Sequence, residues 1–363
     1  MWRTLGQEST IERFSRSIRD NAIHHAYLFV GPEHVGKRTL ALDLACALNC
    51  DAANRPCGEC GTCRRIVEGK HPDIHAITLD AAGTPEDVEV VEQDRRRTRI
   101  STEQIEDLQH ASTLPPFEGR WKVLLVENAD RMSAEAGNRI LKTLEEPPPH
   151  IVWMLLAEDE NRLLDTVVSR CQRVDVRPLP APQLERHLIT VHGVPEERAR
   201  LLARVSRGRT GWALSALADD SVAAARASRI ESMIQLVQMT YTARFDVSRE
   251  TDVLYRRDSR AVLETLDIWT TWWRDLLLVK TGCAESVVNV DYLNDLNEQA
   301  GRLGLEQIRD FVGKLNTTRH DLDLNVVSRL VFDSLVYTIP RIAKFPVQES
   351  VPPDVLQETS ETQ

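Results

Sequence analysis

Apolar positions along the chain fall into three short runs and a long series of helical stripes. Ala26–Val30, Val123–Val126 and Ile151–Leu156 are unbroken apolar runs of four to six residues. Runs of that length predict buried strands. Thr10–Asn21 carries Ile11, Phe14 and Ile18 at helical spacing, and Arg38–Leu48 is rich in Ala and Leu. Ser133–Glu146 predicts a helix stopped by Pro147, Pro148 and Pro149, and helical spacing resumes at Arg162–Ser169. The stiff segment Arg177–Pro182 marks a domain boundary. Beyond it the pattern is helical almost throughout, with short helices over 183–242 and longer amphipathic ones over 250–343. Leu263–Lys280 holds Trp269, Trp272 and Trp273, which at helical spacing read as core or subunit interface rather than as base-stacking platforms.

Composition narrows the class. The 363 residues are 42% hydrophobic and 28% charged, which makes a soluble globular chain with ample core and room for two or three domains. Lys and Arg number 45 against 55 acidic residues, a net charge of −10, so the chain lacks the basic excess of a stand-alone nucleic-acid binder. No apolar stretch is long enough to span a membrane, and the first ten residues have no secretory apolar core. A cytoplasmic location is therefore expected, where seven cysteines read as ligands or buried thiols rather than disulfides. The polar segment 80–99, acidic at first and then basic, reads as an exposed loop, and the acidic, Pro-containing stretch 347–363 as a disordered tail.

Three constellations carry chemistry. The first follows the strand at 26–30. Gly31, Gly36 and Lys37 fit the phosphate-loop pattern G-x4-G-K, in which glycines turn backbone N–H groups inward and the lysine reaches the β and γ phosphates. Strand, glycine loop and helix together open a P-loop α/β fold. The residue after the lysine should offer a hydroxyl to Mg²⁺, yet it is Arg38. Thr39 comes one place late, rotated by about 100° around the helix. The loop reads either as a degenerate nucleotide cradle or as a retained strand–helix junction that binds nothing. The second constellation ends the strand at 123–126. Glu127 stands where a carboxylate would hold the metal, but the base position is Asn128, which cannot take a proton at neutral pH. The third is Cys50-x6-Cys57-x2-Cys60-x2-Cys63, four thiols with Gly58 and Gly61 between them. Four sulfurs without an open position suit a closed structural Zn²⁺ site; an iron–sulfur cluster or a redox thiol pair is the alternative. Cys46 and Cys283 read as ordinary thiols.

These residues resemble a known family. His25–Phe29 before the phosphate loop, the four-cysteine module leading into His71–Asp73, Val126–Met132, Asn138–Pro147 and Ser169–Arg170–Cys171 are similar to the delta-prime subunits of the bacterial DNA polymerase III clamp loader. The likeness covers nearly the whole chain, and Arg38 and Asn128 separate it from the related motor subunits. The resemblance implies an α/β P-loop AAA+ domain with a zinc-binding insertion, then a small helical lid and an all-α C-terminal collar. The expected boundaries are 1–176, 177–243 and 244–343, with a tail over 344–363. It implies a non-hydrolysing stator that works with the gamma/tau motor and delta subunits to place a sliding clamp on primed DNA. It further implies that Arg170, otherwise an ordinary surface charge, is an arginine finger offered to a neighbouring subunit's ATP site, with Cys171 packing beside it. Trp212 stands where active relatives carry a nucleotide-sensing arginine. The collar, with Leu276, Leu277, Leu278, Leu330 and Phe332 in apparent surplus, is expected to carry the main subunit contact. The competing reading is a motor-type ATPase that uses its own phosphate loop.

Overall fold

The computed structural model describes residues 1–79, 99–324 and 326–342. The polar segment, apart from Arg99, and the acidic C-terminal stretch lie outside the described residues. The chain divides into two compact units, Met1–Ala224 with Val288–Asp291, and Ala225–Val287 with 292–363.

The first unit is built on a parallel five-stranded sheet ordered β2-β3-β4-β1-β5. The strands are β1 (Ala26–Val30), β2 (Ile74–Ile77), β3 (Lys122–Val126), β4 (Ile151–Ala157) and β5 (Gln172–Asp175). The three apolar runs are the central strands; β4 is buried along its whole length and β3 likewise. β2 and β5 are edge strands that the apolar pattern did not predict. An edge strand has one neighbour and one wet side, and only Val174 of β5 is buried. Helices cover both faces: α1 (Glu8–Arg19), α2 (Lys37–Asn49), α3 (Gly61–Val67), α4 (Thr102–Thr113), α5 (Ala134–Glu145) and α6 (Asp165–Val168). The helix α4 was also missed. It begins on a capping box, Ser101 with Gln104.

All five strands run in one direction, so their carboxyl ends share one edge. That edge collects the loops after β1, β3 and β4, the usual place for a ligand in an open parallel sheet. Two buried acids hold the opposite framework together. Asp43 of α2 accepts from the Arg3 N–H, the Arg3 Nε–H at 2.7 Å and both the N–H and hydroxyl of Thr4. Asp73 accepts from the N–H groups of Phe117, Glu118 and Gly119. Burial alone raises that carboxyl's pKa, but these three donors hold it below the usual value.

Three helices follow, α7 (Ala181–His192), α8 (Glu196–Val205) and α9 (Thr210–Ala218), packed around Leu184, Leu188, Ala199, Leu202 and Ala213. Gly208 needs its positive φ of 74°, and a Cβ there would sit 2.1 Å from the Leu179 carbonyl oxygen. The next helix, α10 (Asp220–Gln238), is longer than the short helices expected.

The second unit is helical: α11 (Tyr241–Arg257), α12 (Ser259–Lys280), α13 (Leu293–Arg302), α14 (Leu305–Asp323) and α15 (Ser328–Thr338), with the later part of α10. Trp269, Trp272 and Trp273 are buried in its core. The Trp272 Nε1–H donates to Gln299 Oε1, and Trp273 lies 4.5 Å from the Phe311 ring. Arg244, also buried, donates to the carbonyls of Leu236, Val237, Ile339 and Pro340, satisfying helix-end groups that would otherwise be orphaned. The expected apolar surplus is largely consumed here. Leu276 and Phe332 belong to the bundle's own core, Leu277 and Leu278 pack against it, and Leu330 is exposed.

Candidate functional site

The phosphate loop joins β1 to α2 as its pattern requires. Gly36 takes φ 98° at the start of α2, and a Cβ on Gly31 would lie 2.2 Å from the Val176 carbonyl oxygen, so both glycines are needed. Lys37 Nζ donates to the loop's own carbonyls, Gly31 O at 2.5 Å and Pro32 O at 2.8 Å. Burial draws its pKa down, against the pull of Glu158, Asp130 and Glu33. The Gly211 N–H of α9 donates to His34 O of the same loop at 2.7 Å.

Arg38 reaches the carboxylate expected at the metal position. Its Nε–H donates to Glu127 Oε1 at 2.7 Å, so the carboxylate expected to serve Mg²⁺ is paired with a cation of the same chain. Thr39, one residue on, is half-buried. Asn128 sits in the left-handed region at φ 54° and opens a short 3-10 turn. Trp212 packs against the apolar cluster of α7–α9.

Sequence reading missed the acids on the same edge. Glu158 follows β4 directly, and Asp130 lies buried beyond β3. Burial, and then the neighbouring Glu33 carboxyl, push Glu158 up to about 7, and burial also raises Asp130. Three carboxyls therefore act electrostatically on Lys37, the lysine that the loop pattern assigns to phosphate. The available signal was positional: an acid directly after a central parallel strand lands on the ligand edge.

The cysteine module is compact. Cys50 ends α2, Cys60 caps the start of α3, and Cys63 lies within it. All four Sγ atoms lie within 4.8 Å of one another. Cys50–Cys57 is 3.6 Å and Cys57–Cys63 is 4.0 Å. Sulfurs about 2.3 Å from a tetrahedral zinc stand about 3.8 Å apart, so the set fits one ion and is too tight to wrap an iron–sulfur cluster. Backbone N–H groups of Cys60 and Cys63 donate to the Sγ atoms of Cys57 and Cys60, each at 3.4 Å, the kind of outer bond that steadies thiolate ligands. The Cys57 thiol is drawn down to about 6, chiefly by the N–H groups of Cys60 and Glu59. Cys46, buried beneath and pushed by that burial up to about 11, donates to Cys63 O and stays outside the ligand set.

Arg170 follows α6. Its Nη2 meets Glu145 Oε1 at 2.7 Å, and its Nη1–H donates to Thr166 O at 2.8 Å. Cys171 beside it is partly buried, and burial pushes its thiol up to about 12.

Comparison with known proteins adds the lineage. A family profile described as DNA polymerase III, delta subunit, matches residues 6–180. The DNA polymerase III subunit delta' of Bacillus subtilis is 29% identical over 302 residues, which cover 82% of this chain and 86% of that one. The delta' subunit of Pseudomonas aeruginosa is 32% identical over 223 residues, 60% of this chain and 63% of that protein. The tau subunit of Escherichia coli is 34% identical over 226 residues, 60% of this chain but only 32% of its own length. Among solved structures, a DNA polymerase III gamma subunit-related protein from Thermotoga maritima aligns over 91% of this chain and 97% of that one, with 18% identity and a TM-score of 0.37.

Proposed function

We propose, for a chain that belongs to the DNA polymerase III clamp-loader family with delta-prime subunits among its relatives, the role of a stator that assists ATP turnover without performing it. It assembles with the gamma/tau motor subunits and the delta subunit in the cytoplasm. Together they place a sliding clamp on primed DNA. Its α/β domain, lid and collar divide near residues 176 and 243, Cys50, Cys57, Cys60 and Cys63 hold a structural Zn²⁺, and Arg170 completes a neighbour's ATP site.

The observation that carries the non-hydrolysing part is the Arg38–Glu127 pair at 2.7 Å. A hydrolytic site needs a carboxylate available to Mg²⁺ and a base for the attacking water. Here an always-charged guanidinium occupies the first and Asn128 replaces the second. The two losses act on one chemical step, so repairing one does not restore it. The purified chain with Mg²⁺ and ATP is expected to show no turnover above background, and Asn128→Glu is expected to show none either. Robust turnover by the wild-type chain would instead make it a motor-type ATPase.

The collar assignment has its own test. A fragment ending at Ala224, the end of the first unit's main segment, is expected to keep its zinc and α/β fold yet fail to join the motor subunits. Co-elution of that fragment at full affinity would move the main contact out of the collar.

A further inference from the structure

The donors of Arg170 are partly engaged before any phosphate arrives. Nη2 is held by Glu145 and Nη1 by the Thr166 carbonyl. Two bonds on separate nitrogens fix the plane of a guanidinium and leave the rest of its five-donor fork for another acceptor.

Glu145 is an unexpected residue at its position. It is the last residue of α5, where a carboxylate faces the negative end of the helix dipole and is mildly unfavourable. Arg170 supplies the cation that offsets it. The two side chains start from backbones that packing fixes: a Cβ on Gly137 of α5 would lie 3.0 Å from Leu164 Cδ1 at the start of α6, while Leu144 and Val167 are buried. As a stabilising device the pair is weak, because its side chains are 34% and 51% exposed and ion pairs in water contribute little. Its clearer consequence is orientational. An unrestrained arginine samples many rotamers and must give up that freedom on engaging a phosphate.

We infer that Glu145 is a positioning residue for Arg170, bracing the guanidinium in one orientation so that it meets a neighbouring chain's ATP already ordered. The inference rests on the finger reading of Arg170.

The test uses the reconstituted loader with wild-type chain, Glu145→Ala, Glu145→Gln, Arg170→Ala and the Glu145→Ala/Arg170→Ala double variant. Clamp- and DNA-stimulated ATP turnover is measured, with kcat and KM separated, after assembly is checked by size exclusion. Bracing predicts a Glu145→Ala loader between wild type and Arg170→Ala, with a loss at the affected site of up to about five-fold. The loss appears in kcat with the KM for ATP unchanged, because a finger acts on the transition state. Glu145→Gln, which keeps an acceptor oxygen, falls less. The double variant matches Arg170→Ala, since a brace has no effect once the finger is gone. Wild-type turnover by Glu145→Ala beside a slowed Arg170→Ala overturns the inference. So does faster turnover, which would make Glu145 a competitor for the guanidinium, or a Glu145→Ala loss that persists in the Arg170→Ala background, which would make it structural. An unaffected Arg170→Ala loader removes the finger reading itself and the brace with it.

Discussion

Protein purified without added zinc is expected to carry about one equivalent of the metal per chain, and Cys63→Ser to lose it together with the order of the insertion. The expectation comes from what the segment between α2 and α3 lacks. Within residues 51–62 only Pro56 is buried, with Ala52 half-buried beside the core, so little apolar surface repays the entropy of fixing their backbone. The four sulfurs replace that missing core. Structural zinc in small modules is worth about 10–16 kcal/mol at neutral pH, and removing one buried ligand forfeits a large part of it. Cys63 is the informative position because its side chain is fully buried and, with Ile66 of α3, belongs to the core cluster that includes Cys46 of α2. Serine there offers a harder, poorer ligand and leaves a polar group in an apolar setting. Metal analysis by mass spectrometry and thermal unfolding with and without a strong chelator check this. A fully folded wild-type chain without metal, its four thiols freely titratable, would refute it.

Arg170→Ala is expected to leave the chain folded and the loader assembled while ATP turnover at the adjacent site and clamp loading both fall. The folding half of that expectation follows from exposure. Arg170 is bonded to Glu145 and to a carbonyl at the end of a four-residue helix, and exposed pairs of this kind contribute about 0–1 kcal/mol. The catalytic half follows from the fork. A guanidinium supplied across an interface stabilises charge on a transferring phosphoryl group, and in GTPases such fingers are worth about 10³–10⁵ in rate. A loader with several ATP sites loses one finger, so total turnover falls by much less than the affected site does. Arg170→Lys should rescue poorly. A single ammonium cannot hold Thr166 O, Glu145 and a phosphate oxygen in the geometry of a planar fork. Clamp- and DNA-stimulated turnover with reconstituted loader is the measurement, and clamp loading unchanged by Arg170→Ala would return the residue to an ordinary surface charge.

The sequence by itself determined the central strands, the glycine loop after β1, the four-cysteine cluster and the helical character of the described residues after Pro182. Each of these is local: a run of apolar residues, a glycine spacing, four cysteines close in the chain, a repeat of apolar positions. Central strands are legible because both faces are buried, and the cysteine set is legible because its residues fall within fourteen positions of the chain. The edge strands β2 and β5 were not, since a strand with one wet side carries too few apolar residues to stand out. The surplus assigned to the collar dissolved for a related reason. Periodicity shows that Leu276 and Phe332 lie on apolar stripes but not whether a helix of the same bundle covers them. Only the tertiary structure brought together residues far apart in the chain: Arg38 with Glu127, Asp130 and Glu158 with Lys37, and Glu145 with Arg170. Such pairings depend on strand order and helix packing, which place side chains from distant segments within a few ångströms, and no local pattern encodes that distance.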